Sequence, residues 1–235
     1  MSHFFRKRRL RTQFAQAWRA GDWRAAIAVG ELLLKETPDD PEFLNNLGAA
    51  LLEAGEVVQA EASFRRATTL RENAIPYNNL GRALMKCGRH SEANAAFHRA
   101  SELEPSDPQP RYNRLICLRE TAQSEKADAE LRRFVSEFPR HPAGLNDLGC
   151  LADEHGNREQ ALTCFMASVE ISPHYLPARL NLIRVLCDLG RFPEAVPHLQ
   201  ILAASGMQVR VDATDALVEI DLNGQPFYRG PAKKV

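Results

Sequence analysis

The sequence repeats itself at intervals of about 34 residues, and this periodicity restricts the fold more than any other feature. Phe43–Gly55 reads FLNNLGAALLEAG, and Pro76–Gly88, which begins 33 positions later, reads PYNNLGRALMKCG. A period of about 20–50 residues is typical of stacked repeat architectures, so the chain is predicted to form one. The alignment extends over six units, which share an alanine at the twentieth position: Ala26, Ala60, Ala93, Ala127, Ala161 and Ala195.

Each unit has the pattern of two helices joined by a tight turn. Apolar residues recur with helical spacing in two separate runs, so each unit is predicted to contain two amphipathic helices. Glycine or alanine at position 15 suits the end of the first helix, and proline at position 32 ends the second. In the last unit, Pro197 is expected to make the second helix start late or bend. The predicted units are residues 7–40, 41–73, 74–107, 108–141, 142–175 and 176–209.

These units resemble the tetratricopeptide repeat (TPR), whose signature is W-x2-L-G-x2-Y…A-x3-F…P. The resemblance covers about residues 7–209, although the first, fourth and sixth units depart from the pattern. It implies an all-α fold, a right-handed TPR superhelix (an α-solenoid of antiparallel helix pairs). The two best units read Leu44-x2-Leu47-Gly48-x2-Leu51…Ala60-x3-Phe64 and Tyr77-x2-Leu80-Gly81-x2-Leu84…Ala93-x3-Phe97…Pro105.

Asparagines recur on the predicted first helices, although asparagine is a mediocre helix former. The resemblance implies that these helices line a concave groove, and the asparagine row is similar to that in the TPR superhelix of O-linked N-acetylglucosamine transferase. An amide can bond both the N–H and the C=O of an extended peptide. We therefore predict a peptide-binding groove, with the alternative that the asparagine at position 6 of each repeat bonds the backbone of the neighbouring repeat. The candidate residues are Asn45, Asn46, Asn78, Asn79, Arg82, Lys86, Tyr112, Asn113, Arg119, Asn146, Asp147, Asn181 and Arg184.

The composition points to binding of protein and away from catalysis. The formal net charge is zero, which argues against nucleic acid as the main partner. Nucleotide-binding and metalloprotease motifs are absent, and the histidines are scattered, so neither an enzyme nor a metal site nor a cofactor is predicted. The leading prediction is a non-catalytic scaffold that holds a partner polypeptide in the groove. The alternatives are a self-assembling or membrane-peripheral organiser and a non-catalytic subunit of an enzyme complex.

The first 21 residues carry six basic side chains and no acidic one. The favoured interpretation is a first repeat helix with a solvated basic face. The alternative is a membrane-surface anchor, because Phe4 and Phe5 precede the basic run. The five cysteines include no Cys-x-x-Cys pair, and neither a signal peptide nor a membrane span is predicted. We therefore expect a cytoplasmic protein, with peripheral membrane contact and homo-oligomerisation as further hypotheses.

Residues 210–235 follow the last repeat and allow two interpretations. Asp212 followed by Ala213 and Leu217 has the spacing of a capping helix, which would cover the apolar end of the array. Val218, Ile220 and Leu222 alternate instead, and Asn223-Gly224 is a strong hairpin signal. The capping helix is favoured because the array has an apolar end to cover and no sheet to join. The final residues 230–235 are expected to be disordered.

Overall fold

The computed structural model describes residues 2–121, 124–213 and 217–231, which form twelve α-helices followed by three β-strands. Each predicted unit contains two helices, which we call its A and B helix, so the prediction of paired helices is confirmed. The A and B helices of the six units are α1 (Ser2–Arg19), α2 (Trp23–Glu36), α3 (Pro41–Glu53), α4 (Val57–Leu70), α5 (Ala74–Lys86), α6 (His90–Leu103), α7 (Pro108–Glu120), α8 (Ser124–Glu137), α9 (Pro142–Glu154), α10 (Arg158–Ile171), α11 (Leu176–Asp188) and α12 (Phe192–Ala204).

The turn between an A helix and its B helix depends on glycine. Gly55 follows α3 with φ of 86°, and Gly88 follows α5 with φ of 71°. A residue with a Cβ atom is strained in this left-handed region, so glycine at position 15 allows the chain to reverse direction there. The next A helix begins with a side-chain cap, as at Asp40, whose carboxylate accepts from the backbone N–H of Phe43.

The two helices of a hairpin approach closely because a glycine of the A helix faces a phenylalanine of the B helix. A Cβ atom at Gly81 would lie 2.5 Å from Cε1 of Phe97, and one at Gly48 would lie 2.7 Å from Cε1 of Phe64. Both rings are completely buried. The Leu-Gly and Ala-x3-Phe parts of the repeat therefore form one packing unit.

The chain divides into two compact units, Met1–Ala127 and Asp128–Val235. In the first unit, buried residues pack into a cluster around Leu10 and Phe14 and another around Phe64 and Phe97. In the second unit, one cluster extends from Phe165 through α11 and α12 to Ile220. The division lies within α8, in the fourth predicted repeat. The predicted domain boundary at residue 209 does not separate two hydrophobic cores, because Ile220 belongs to the same cluster as α11 and α12.

The predicted capping helix is wrong, because the residues after the last repeat form an antiparallel sheet. The strands β1 (Val209–Ala213), β2 (Leu217–Leu222) and β3 (Gln225–Pro231) pair in that order. Asn223 and Gly224, both with positive φ, connect β2 to β3 in the manner of a hairpin turn. The alternation through Ile220 and Leu222 favours a strand, because it places both side chains on the face of β2 that packs on the core of the last repeat.

The structure also bears on the predicted tail and on the predicted start of the last helix. Gly230 and Pro231 form the end of β3, whereas the rest of the predicted disordered tail lies outside the described residues. Helix α12 begins at Phe192 and contains Pro197, so the expectation of a late start is wrong. Pro193 occupies the first turn of α12, where the missing N–H would have no partner within the helix.

The basic N-terminal segment forms the first A helix, as the favoured interpretation predicted. Leu10 and Phe14 are buried against α2 and α3. Arg11 forms an ion pair with Asp40 at 2.8 Å, and Arg6 forms one with Glu36 at 3.3 Å. None of the helices in the described part of the chain combines the length and the apolarity that a bilayer crossing requires.

Candidate peptide-binding surface

The asparagines of the first compact unit bond one another across neighbouring A helices. Asn79 on α5 donates from Nδ2 to Oδ1 of Asn45 on α3, at 2.9 Å. Asn113 on α7 donates in the same way to Oδ1 of Asn78 on α5, also at 2.9 Å. In each pair, the donor lies in the later repeat and the acceptor in the earlier one. The candidate residues are therefore brought together, and each pair joins two consecutive repeats.

In each pair, the side-chain amide nitrogen of the acceptor residue donates no hydrogen bond within the described residues. The acceptor atoms are Oδ1 of Asn45 and Oδ1 of Asn78. Both residues are half-buried, and neither Nδ2 is among the fully buried polar atoms that lack a partner, so each retains contact with solvent. Asn113 is only 8% exposed, and its Oδ1 accepts from Gln109. The asparagines therefore divide into connectors, which are the half-buried Asn79 and the buried Asn113, and residues with an unused donor, which are Asn45 and Asn78.

A depression of about 270 Å³ lies at the N-terminal ends of α3 and α5. Asn45 and the exposed Asn46 form part of its wall, and Ile75, which is 58% exposed, contributes an apolar surface. Glu42 and Arg71 form an ion pair of 3.1 Å beside it. We call the surface of α3, α5 and α7 that carries Asn45, Asn46, Asn78 and this depression the A-helix face.

The predicted basic residues of the A-helix face differ in their contacts. Arg82 contacts Glu53 at 3.5 Å and Oδ1 of Asn79 at 3.4 Å, and its side chain is 45% exposed. Lys86 is exposed and forms no ion pair within the described residues. Arg119 is exposed, Tyr112 is half-buried, and both have interactions with other side chains or backbone. Part of the positive charge on this face is therefore already compensated.

In the second compact unit, the corresponding residues satisfy one another. Asn181 on α11 donates to Oδ1 of Asn146 on α9 at 2.9 Å, and Asn146 donates to Asp147 at 3.3 Å. Asn146 is 6% exposed. Arg184 forms ion pairs with Asp153 at 2.7 Å and with Asp188 at 3.4 Å. These candidates therefore offer fewer unused polar groups than those of the first unit.

Cys117 and Cys187 lack the properties of nucleophiles or metal ligands. Burial raises the pKa of the Cys117 thiol to about 11 and that of Cys187 to about 12, with a smaller contribution from the neighbouring acidic side chain in each case. Such thiols stay protonated at neutral pH, whereas nucleophilic and metal-binding cysteines are thiolates. Within the described ranges, no cluster of three histidine, cysteine or acidic side chains could hold a metal ion.

Comparison with known families identifies the repeat. Four models described as tetratricopeptide repeat match residues 13–75, 74–107, 143–175 and 176–200, which together make up well over half of the chain. The chain belongs to the tetratricopeptide repeat family. The predicted resemblance is thus confirmed, and membership of the TPR family supports a role as a protein-interaction scaffold. No curated protein sequence matches the chain.

Solved structures of other TPR proteins have the same fold. PilF of Pseudomonas aeruginosa is 15% identical with a TM-score of 0.70, and the match covers 87% of this chain and 94% of that one. PilW, described as a widely conserved type IV pilus biogenesis factor, is 22% identical with a TM-score of 0.67, covering 85% and 93%. YrrB, described as a TPR protein with an unusual peptide-binding site, is 20% identical with a TM-score of 0.53, covering 70% and 86%.

Proposed function

We propose that this TPR protein is a non-catalytic scaffold that holds an extended partner polypeptide on its A-helix face. The observation that carries the proposal is the pair of accessible Nδ2 groups on Asn45 and Asn78, whose Oδ1 atoms are already fixed by Asn79 and Asn113. A fixed carbonyl orients the rest of the amide before any partner arrives. Groups oriented in advance lose little conformational entropy on binding, which favours affinity.

The spacing of these two donors suits a chain in the polyproline II conformation. Asn45 and Asn78 lie on α3 and α5, which contact each other, and packed helices are about 8–10 Å apart. A polyproline II chain rises about 3.1 Å per residue with three residues per turn, so equivalent carbonyls recur about every 9 Å. Each donor could therefore bond one carbonyl, the two carbonyls belonging to residues three positions apart along the bound chain.

Further groups on the A-helix face would contribute to the choice of partner. The depression beside Asn45 and Asn46 is large enough for one side chain of the bound polypeptide, and Ile75 gives it an apolar wall. Lys86 supplies a positive charge without a described ion-pair partner. We therefore expect a partner that carries an apolar side chain and an acidic one.

The experiment uses peptides selected from a random display library with the whole chain as bait, followed by affinity measurements on two matched variants. Asn45→Asp with Asn78→Asp keeps an acceptor oxygen for Asn79 and Asn113 but removes both accessible N–H groups. Two lost hydrogen bonds of about 0.5–1.5 kcal/mol each should weaken binding by about 1–3 kcal/mol, or roughly five- to more than a hundredfold. The melting temperature should stay the same.

Asn79→Asp with Asn113→Asp is the matched control, since it adds the same charge on the same face. It removes the donor of each inter-repeat bond, so the melting temperature should fall. If instead the variant at Asn45 and Asn78 binds the selected peptides with unchanged affinity, the asparagines serve only to connect repeats. Failure of the library to yield any peptide that competes for this face would also contradict the proposal.

The second candidate function is contact with an anionic membrane through α1. Phe4 and Phe5 are 68% and 60% exposed, and their rings contact each other with centroids 5.8 Å apart. Arg8 and Arg9 are exposed and form no ion pair within the described residues. An exposed aromatic pair beside uncompensated arginines is the pattern of an interfacial segment.

Flotation with vesicles of phosphatidylcholine and phosphatidylglycerol tests this candidate. The protein should float at low salt and be released at high salt, because the attraction is screened. Arg8→Gln with Arg9→Gln should abolish flotation, whereas Arg132→Gln with Arg133→Gln on α8 serves as the matched control and should not. Flotation that both double variants retain, or none by the native chain, would exclude membrane contact through α1.

A further inference from the structure

A second site lies in the other compact unit, around a buried arginine. Arg179 on α11 is 4% exposed and occupies the fourth position of its repeat, where the preceding repeat has the buried Leu145. Burying a guanidinium is costly unless a carboxylate or several hydrogen bonds compensate the charge. The presence of arginine at a position that suits leucine therefore calls for an explanation.

The contacts of Arg179 do not neutralise its charge. Nη1 contacts Nδ1 of His198 at 3.1 Å, and Nη2 donates to the carbonyl oxygen of Pro173. Both partners are neutral acceptors, because a histidine that accepts from a guanidinium cannot be protonated on that nitrogen. No carboxylate in the described residues forms an ion pair with Arg179. Burial lowers the pKa of Arg179, and burial together with Arg179 lowers that of His198.

Arg179 forms part of the wall of a cavity of about 410 Å³. Leu176, Ile201 and Met207 give this cavity an apolar surface, and Asn223, in the turn between β2 and β3, closes one side. Leu176 is 41% exposed and Ile201 is 47% exposed, so both offer accessible apolar surface to a ligand. An uncompensated cation is thus set into an apolar concavity of the size that small ligands occupy.

We propose that this cavity binds a carboxylate attached to an aliphatic group, with the carboxylate on Arg179. A guanidinium has five N–H groups in a planar fork that matches the two oxygens of a carboxylate, and only two contacts with protein acceptors are described for Arg179. The aliphatic group would lie against Leu176 and Ile201. The carboxyl terminus of a partner protein and a free small acid share this chemistry.

The first experiment compares N-acetyl-leucine with N-acetyl-leucinamide, which differ only in the carboxylate, by NMR titration of the native chain. The acid should bind at least about tenfold more tightly than the amide, because charge-assisted bonds to arginine are roughly twice as strong as neutral ones. The shifted signals should belong to residues that line the cavity. Equal affinities, or no binding of the acid, would overturn the proposal, and neither outcome depends on a variant.

Variants then assign the binding to Arg179. Arg179→Leu places the residue of the preceding repeat at this position, so the fold should be kept or stabilised while acid binding is lost. Arg158→Leu, in the same compact unit but outside the cavity, is the matched control and should bind the acid normally. If Arg179→Leu binds the acid as well as the native chain does, the site is elsewhere. Arg179→Lys, which keeps the charge without the fork, should bind the acid weakly.

A pentapeptide that ends in leucine distinguishes the two sources of the carboxylate. If the peptide with a free carboxyl terminus binds at least about tenfold more tightly than N-acetyl-leucine, the ligand is the end of a protein chain. If the two bind equally, the cavity recognises the single residue, and a small free acid is the ligand. Either result supports a carboxylate site, whereas preference for the amidated peptide would contradict it.

Discussion

At the scale of single residues, one side-chain type occurs in two hydrogen-bonding states on the A-helix face. The Nδ2 groups of Asn79 and Asn113 connect consecutive repeats, while those of Asn45 and Asn78 remain available to a partner. The difference depends on which end of each amide faces the neighbouring repeat. An asparagine-to-alanine exchange would remove both roles together, so aspartate, which keeps the acceptor oxygen alone, is the informative replacement.

The contact of Gly81 with Phe97 gives a prediction at this scale. Gly81→Ala should destabilise the protein by about 1–3 kcal/mol, because the new Cβ atom would lie 2.5 Å from Cε1 of a completely buried ring. Elsewhere in a helix the same exchange is stabilising, since alanine is the better helix former. Urea unfolding of the single variant measures the difference.

Phe97→Leu provides the control for this prediction in a double-mutant cycle. The leucine is smaller, so Gly81→Ala should cost less in the Phe97→Leu background than alone. Additive free energies of unfolding would mean that the glycine is required for some reason other than the ring.

Only part of this residue-scale arrangement could be predicted from the sequence. The period places Asn45, Asn79 and Asn113 on one surface, and it does so correctly. The pairing could not be predicted, because the bond between Asn79 and Asn45 depends on the rotation and stagger of two helices whose residues are 34 positions apart. The signal for Arg179 was present, since it stands at the position of Leu145, but the burial and the missing carboxylate required coordinates.

At the scale of elements, the small sheet completes the core of the second compact unit. Ile220 is 1% exposed, and Val209, Leu222 and Phe227 pack on the same cluster as α11 and α12. The end of a repeat array exposes an apolar surface that has no further repeat to cover it. The three strands cover this surface, which is the role that the sequence assigned to a helix.

Ile220→Ala should therefore lower the free energy of unfolding by about 2–5 kcal/mol, because it leaves a cavity in the core. Val211→Ala, on the neighbouring strand, is the matched control; Val211 is 46% exposed and its truncation should change stability by less than about 0.5 kcal/mol. Chemical denaturation of both variants measures the contrast. Equal losses of unfolding free energy in the two variants would show that the sheet does not stabilise the second compact unit.

The error about the C-terminal element has a physical origin. A helix from Asp212 and a hairpin at Asn223-Gly224 are both compatible with the local pattern. Which of them forms therefore depends on the surface against which the segment packs. The helical interpretation assumed that only a helix can cover the apolar end of an array. The alternation of Val218, Ile220 and Leu222 was the stronger signal, because a period of two directs every second side chain to the same surface.

At the scale of the whole molecule, the two compact units have separate clusters of buried residues. Phe97 lies in the first unit and Phe165 in the second, at the same position of their repeats, and both are completely buried. Repeat arrays are stabilised by neighbouring units, so a local defect is expected to affect the stability of its surroundings most strongly.

Hydrogen exchange of the matched variants Phe97→Leu and Phe165→Leu tests this expectation. The first should accelerate amide exchange mainly within Met1–Ala127, and the second mainly within Asp128–Val235. Mass spectrometry of peptide fragments from each variant gives the comparison. Acceleration spread evenly over the chain in both cases would mean that it opens as one cooperative body.

The orientation of the asparagine pairs has a consequence for the composition of a bound polypeptide. If a polypeptide binds as proposed, it bonds the Nδ2 donors of Asn45 and Asn78, whose oxygens already accept from the neighbouring repeat, so these contacts require carbonyl groups and no N–H from the partner. Proline, which lacks that N–H, would be accepted at every contacted position at no cost. Segments rich in proline form neither helices nor interior strands by themselves. The A-helix face is thus suited to hold stretches of chain that would otherwise have no fixed structure.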